Sequence, residues 1–260
     1  MKSTRPGRPD RILILDIGGS HVKAAFSDSA LERKLSSGPK LTPERMVRGM
    51  SRLLAGEKYR AVAIGYPGPV KKGRIHEEPH NLGRGWVGFD FHRAFGCPVR
   101  ILNDAAMQAL GSYRGGSMLF LGLGTGLGSA MVVEGQVVAM ELAHLPFKKG
   151  RTFEEYLGEA GLERLGRAKW QKEVGRVVQM FEAALQPDEV VLGGGNVREL
   201  DGLFPGTRRG DNREAFVGGV RLWGGSSWPG LPTPGPVSLR SARGPPVRAE
   251  SSVSRRRRAT

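Results

Sequence analysis

The sequence predicts an α/β fold, and three features carry that expectation. Short apolar runs at residues 11–16, 60–66, 99–102 and 189–192 read as buried strands, most of them leading into a glycine-rich turn. Longer stretches between them have helical spacing. In the middle of the chain, Val99, Ile101 and Leu102 run through Asn103-Asp104 into a helix-like stretch at 105–110. Ligands in open α/β sheets gather at the carboxyl ends of strands. Asp104 is therefore the residue to weigh first. One reading makes it a helix N-cap, a position Asp favours. The other follows from its neighbours, because a glycine turn suited to phosphate lies on either side in the chain. A carboxylate so placed can take the proton of a hydroxyl that attacks a phosphoryl group.

In order, residues 11–16 form a strand ending at Asp16. Ile17-Gly18-Gly19-Ser20-His21 turns, and residues 22–26 return, which is a hairpin pattern. The two glycines allow close backbone approach to a ligand, and successive N–H groups form an anion nest. An ordinary hairpin turn is the simpler alternative. Residues 42–54 are helical through Met46, Val47, Met50, Leu53 and Leu54, with Thr42 as cap and Pro43 at the first helical position. Residues 60–66 form a strand that runs into Pro67-Gly68-Pro69. Residues 71–85 are polar and irregular, hold Pro79-His80-Asn81-Leu82 and end at Trp86. Long polar loops in compact domains are often functional.

Residues 117–133 carry the second glycine element, with Gly122, Gly124, Gly126 and Gly128. It is not a P-loop, since no Gly-Lys-Ser/Thr follows, and it lacks the third glycine and the helix of the dinucleotide fingerprint. Its apolar flanks predict strand, turn, strand. Glu141-Leu142-Ala143-His144 comes next, joined by the basic residues Lys148, Lys149 and Arg151. Residues 153–165 have helical spacing. Trp170, Val174, Val177, Val178, Phe181 and Leu185 form one face of a helix that Pro187 ends. The strand at 189–192 leads into a third turn, Gly193-Gly194-Gly195-Asn196. Asp211 or Asn212 is expected to cap a last helix with Phe216, Val220 and Trp223.

Composition narrows the classes. The 260 residues suffice for one large or two small domains, and 39 of them are glycine, so tight turns abound. A single cysteine, Cys97, excludes a disulfide framework or a multi-cysteine zinc site within one chain and suits a cytoplasmic location. No secretory signal and no transmembrane run is expected. The net charge of +15 suggests nucleic acid, but its distribution argues against that. Residues 226–260 hold +6 and residues 1–11 hold +3, leaving +6 for the remainder. A mildly basic core also suits a polyanionic substrate. Residues 1–10 read as a basic extension. Residues 224–260, rich in Gly, Pro, Ser and Arg, read as a disordered tail.

Taken together, these motifs resemble the ROK family of sugar kinases, within the actin-like, ribonuclease H-like ATPase superfamily. Asp16-Ile17-Gly18-Gly19-Ser20-His21-Val22-Lys23 resembles the family's first phosphate motif, with Ser20 where threonine is usual. The run from Gly122 to Gly128 resembles the second. Asn103-Asp104 resembles the catalytic pair, Glu141-Leu142-Ala143-His144 the sugar signature, and Gly193-Gly194-Gly195 the adenosine-side turn. Tyr66-Pro67-Gly68-Pro69 and the segment from Pro79 to Trp86 look most like the polyphosphate-glucokinase branch.

The resemblance implies two actin-like lobes, at residues 11–100 and 101–223. It implies transfer of a phosphoryl group from ATP or polyphosphate to a hexose, glucose first, and a non-catalytic sugar-binding member of the family is the alternative. Asn81, Asn103, Asp104, Glu141, His144 and Glu155 would bind sugar, with Glu154 the neighbouring alternative to Glu155. Asp104 would be the base. Asp16, Gly18, Gly19, Ser20, Lys23, Gly124, Thr125, Gly126, Gly193, Gly194 and Gly195 would hold the donor. Mg²⁺ would bind through the donor and, through water, to Asp16. The family's cysteine-rich zinc module and its DNA-binding segment are both missing, so neither zinc nor a repressor role is expected. The resemblance leaves room for a homodimer and implies no membrane partner.

Overall fold

The computed structural model describes residues 9–225 and Pro229. The expected tail at 224–260 and basic extension at 1–10 lie largely outside the described residues.

Strands β1 (Ile12–Ile17), β2 (His21–Phe26) and β3 (Arg33–Ser36) form an antiparallel meander. Helix α1 (Pro43–Leu53) follows, with the Thr42 side chain accepting from the Arg45 N–H and Pro43 opening the helix. β4 (Ala61–Tyr66) then lies parallel to β1. The expected irregular loop contains a short hairpin, β5 (Val70–Lys71) and β6 (Arg74–Ile75), followed by α2 (Phe91–Phe95). β7 (Val99–Asn103) pairs parallel with β4 and completes a sheet ordered β3-β2-β1-β4-β7. The lobe boundary expected after residue 100 thus falls inside β7. β1 and β4 are covered on both faces, which is why both read as unbroken apolar runs.

α3 (Asp104–Ser112) leads to a second sheet of the same plan. β8 (Ser117–Leu123), β9 (Leu127–Val133) and β10 (Gln136–Met140) form its meander. After them come a small hairpin, β11 (Pro146–Lys148) and β12 (Arg151–Thr152), and helices α4 (Phe153–Leu157), α5 (Glu159–Leu165) and α6 (Arg167–Leu185). The helix expected over 153–165 is broken at Gly158, whose backbone is extended and packs on the Thr125 carbonyl. β13 (Glu189–Gly193) and β14 (Thr207–Arg209) join in parallel, giving the order β10-β9-β8-β13-β14.

The last helix, α7 (Glu214–Leu222), returns to the first sheet, where Phe216, Val217 and Val220 pack on Ile12, Ile14 and Ala63. α3 packs on the second sheet through Ala105, Ala106 and Ala109. α3 and α7 touch each other backbone to backbone: a Cβ on Gly111 would meet the Glu214 carbonyl oxygen at 1.7 Å, and one on Gly218 would meet the Met107 carbonyl oxygen at 1.8 Å. The expected cap of α7 differs. Arg213 occupies the N-cap without a side-chain capping bond, its guanidinium pairing with Asp211 instead, and the Asp211 carboxylate accepts the Arg213 N–H in the turn just before the helix. No helix among the described residues is long and apolar enough to cross a membrane.

Candidate active site

β1, β4 and β7 run parallel, so their carboxyl ends lie side by side. Asp16 pairs in register with Gly65, and Gly65 with Leu102, so the missing side chain of Gly65 makes room beside the first turn of α3. A Cβ on Gly65 would stand 3.6 Å from the Cα of Asp104 and 2.5 Å from Met107 Cε. On the other side, a Cβ on Gly128 of β9 would lie 2.7 Å from that of Ala105. Absent side chains on β4 and on β9 of the second hairpin thus bring the start of α3 against each strand, with Asp104 between.

The capping question resolves onto its neighbour. Asn103 is the N-cap of α3: its Oδ1 accepts the Ala106 N–H at 3.0 Å and its Nδ2 donates to the Gly68 carbonyl at 3.2 Å. Asn103 is buried, and these two bonds use its oxygen and one of its two amide hydrogens. Asp104 is the first residue of the helix, and one of its oxygens accepts the Ala105 N–H at 2.7 Å. Burial raises the Asp104 carboxyl to about 7, the charges of Asp16 and Glu141 add to the rise, and the Ala105 bond opposes it.

The first turn is tied down by Gly18 N–H to the His21 carbonyl at 2.9 Å and Ser37 Oγ to the Gly18 carbonyl at 2.6 Å. Gly19 and Ser20 are exposed. Asn81 lies over Gly19, with its Cβ 3.6 Å from where a Gly19 side chain would begin. Asp16 is partly buried, and Lys23 Nζ stands 3.5 Å from it. Burial pushes the Asp16 carboxyl above its ordinary range against the pull of Lys23.

The second turn, Gly124-Thr125-Gly126, closes on a Gly124 N–H to Gly126 carbonyl bond at 3.1 Å. Glu159 at the start of α5 donates its N–H to the Gly124 and Thr125 carbonyls. The third turn is joined to the second. Gly194 has φ +84° and lies so close to Leu123 that a Cβ would meet its carbonyl oxygen at 2.2 Å, and Asn196 Nδ2 donates to the Gly124 carbonyl at 3.0 Å.

Glu141 precedes a 3₁₀ turn, Leu142–His144, which places His144 Nε2 3.6 Å from its carboxylate. The Glu141 carboxyl is raised by burial, eased by His144, and raised again by Glu77 and Glu154. Of the two adjacent glutamates, Glu154 faces the second turn. Its Oε2 accepts the Leu127 N–H at 3.2 Å and fills the space beside Gly126. Glu155 is exposed and forms the capping box of α4, accepting the Thr152 N–H at 2.8 Å. The Thr-x-x-Glu spacing from Thr152 to Glu155 is itself a capping signature, so the distinction had a signal in the sequence. The basic group is also less open than its sequence suggests. Lys148 is ion-paired with Glu173 and lies over the Phe147 and Tyr156 rings, and Arg151 stands 3.8 Å from Glu155.

The model of the ROK family matches residues 12–147. A polyphosphate glucokinase of Mycobacterium tuberculosis is 29% identical over 213 residues, covering 74% of this chain and 80% of the relative. Among solved structures, the inorganic polyphosphate/ATP-glucomannokinase of Arthrobacter sp. strain KM superposes with a TM-score of 0.70 at 22% identity, covering 84% of this chain and 99% of that one. A ROK family glucokinase of Streptomyces griseus, in complex with glucose and AMPPNP, gives 0.67 at 19%, covering 82% and 98%. The structural likenesses agree with the doubled sheet, and because the family model spans more than half of its residues, the chain belongs to the ROK family.

Proposed function

We propose that this chain is a hexose kinase that transfers a phosphoryl group from ATP or polyphosphate to glucose. The observation that carries the reading is Asp104, a carboxylate released from capping by Asn103, set at the start of α3 between β4 and the second glycine hairpin, within the field of Asp16 on the first, and with its pKa near neutrality. Its ionised form takes the proton of the attacking hydroxyl, C6 for glucose. Glu141, His144, Glu154 and Asn81 orient the sugar. The exposed N–H groups of the first and second turns cradle the donor phosphates, and the third turn offers its open face at Gly195 to a nucleotide base.

Asp16 fits a Mg²⁺ ion carried by the donor. The described residues contain no group of three or more His, Cys, Asp or Glu able to hold a metal. One carboxylate acting through water suits an ion that keeps most of its hydration and takes the rest from phosphates. When bound, Mg²⁺ supplies charge neutralisation on the transferred group. A cytoplasmic location belongs to the same reading.

The two glutamates separate by experiment. Glu154→Gln is expected to raise the KM for glucose about tenfold, on the scale of a lost hydrogen bond to a charged group. Glu155→Ala is expected to leave KM unchanged and to cost about 1 kcal/mol of stability through the capping box. Steady-state kinetics with a thermal melt on each variant decides this, and the opposite pattern would return Glu155 to the sugar.

The donor is tested by a coupled assay with glucose, comparing ATP and polyphosphate at low and high salt. ATP is expected to support turnover with little dependence on salt, because backbone turns hold its phosphates. Polyphosphate use should weaken steeply with salt if cations beyond the turns hold it, since exposed charges are screened over about 10 Å at 0.1 M. Inactivity with both donors toward any hexose refutes the kinase reading. Inactivity with polyphosphate alone removes only that donor.

A further inference from the structure

We propose that Glu78 is a positioning residue for the reaction: it clamps the loop from Glu78 to Trp86 shut so that Asn81 is presented at the first glycine turn. The inference rests on the kinase reading, in which Asn81 meets the sugar. Both oxygens of the Glu78 carboxylate are engaged, Oε2 by the Trp86 N–H and Oε1 by the Val87 N–H, each at 3.1 Å. Two backbone N–H groups held by one carboxylate close an eight-residue excursion, and charge-assisted bonds of this kind are the stronger class.

The loop is pinned at three further points. Tyr66 Oη donates to the Glu77 carbonyl at 2.9 Å. The Gly83 N–H donates to the Leu41 carbonyl at 3.0 Å, and a Cβ on Gly83 would stand only 3.0 Å from that oxygen. Trp86 is wholly buried, with its ring 5.7 Å from Tyr66 and 6.2 Å from Phe91. With both feet fixed, the exposed tip carrying Asn81 lies over Gly19. Among the described hydrogen bonds, those of Glu78 alone run directly from the rising limb of this loop to its descending limb, while Tyr66 bridges the two indirectly through the Glu77 carbonyl and the Trp86 ring. Glu78 therefore decides where Asn81 stands without being placed to touch sugar itself.

The test is a double-mutant cycle in the full chain with Glu78→Ala and Asn81→Ala, singly and together, reading kcat and KM for glucose alongside the melting temperature. Glu78→Ala is expected to lower kcat/KM by about 10- to 100-fold, the scale of a small misplacement of a binding group, mostly through KM. If Glu78 acts through Asn81, the double variant should be no worse than Asn81→Ala alone. Losses that multiply overturn the proposal, as does an unchanged kcat/KM with only a lowered melting temperature. Glu78→Gln keeps the size and one acceptor oxygen. It is expected to recover part of the KM loss, and it carries the same cycle if the alanine variant fails to fold. An inactive wild-type protein is a failure of the kinase reading and takes this inference with it. An active wild-type protein with multiplying losses is a failure of the inference alone.

Discussion

Asp104→Asn is expected to lower turnover by about 10²–10⁴, the usual contribution of a general base, with a much smaller change in sugar affinity. The substitution keeps the shape and the acceptor oxygen that binds the Ala105 N–H, and removes only basicity. The wild-type profile gives an independent check. A base with its pKa at about 7 should make kcat/KM rise with pH through that value and level off above it. The sign for stability is the opposite. The Asp104 carboxyl has a higher pKa folded than the ordinary carboxylate value of about 3.9, so the folded state binds the extra proton. Its contribution to stability is therefore present at low pH and is lost as pH rises from about 4 to about 7. Asn carries no charge to repel Asp16 and Glu141, so the variant should melt no lower than wild type at pH 8. Near-normal turnover in Asp104→Asn would leave Asp104 as a helix-start residue and nothing more.

Gly218→Ala is the second large effect, and it falls on stability. Its Cβ would sit 1.8 Å from the Met107 carbonyl oxygen and 2.8 Å from the carbonyl carbon, with Gly111 N at 3.2 Å. All three are backbone atoms, so no side-chain rotation relieves the clash and α7 must move off α3. Overpacking of this kind costs about 3 kcal/mol at the upper end of the usual range, or a melting point lower by about 6–12 °C for a chain of this size. Because α3 begins at Asp104, kcat should fall as well. Gly202→Ala, where nothing lies within 4 Å, is the matched control and should change stability by less than about 0.5 kcal/mol. Equal melting points for the two variants would show that the α3–α7 crossing is looser than drawn.

Much of the fold was legible because its signals are local. Thr42-Pro43 marks the start of α1, Pro187 follows the end of α6, and the apolar runs at β1, β4, β8 and β13 are covered by neighbours on both sides. β3 escaped notice because its four residues, Arg33–Ser36, form an edge with only partial burial. β14, of three residues, is shorter still and polar. Neither carries an apolar period, and pairing with a neighbour is what makes each a strand.

The sequence by itself determined the α/β class, the three glycine turns, the helix after β7 and the small set of carboxylates from which a site could be built. These follow from periodicity and from backbone freedom at glycine, both properties of a few adjacent residues. Only the tertiary structure decided which of neighbouring side chains takes which task. Asn103 caps α3 and leaves Asp104 open, Glu155 caps α4 while Glu154 turns to Gly126, and Lys148 is taken up by Glu173. Adjacent residues on a helix point roughly 100° apart, so identity at one position says little about which of them faces the site. The return of α7 to the first sheet was equally invisible, because its partner Ile14 lies some two hundred residues earlier and meets it only where Gly219 has no side chain to hold them apart.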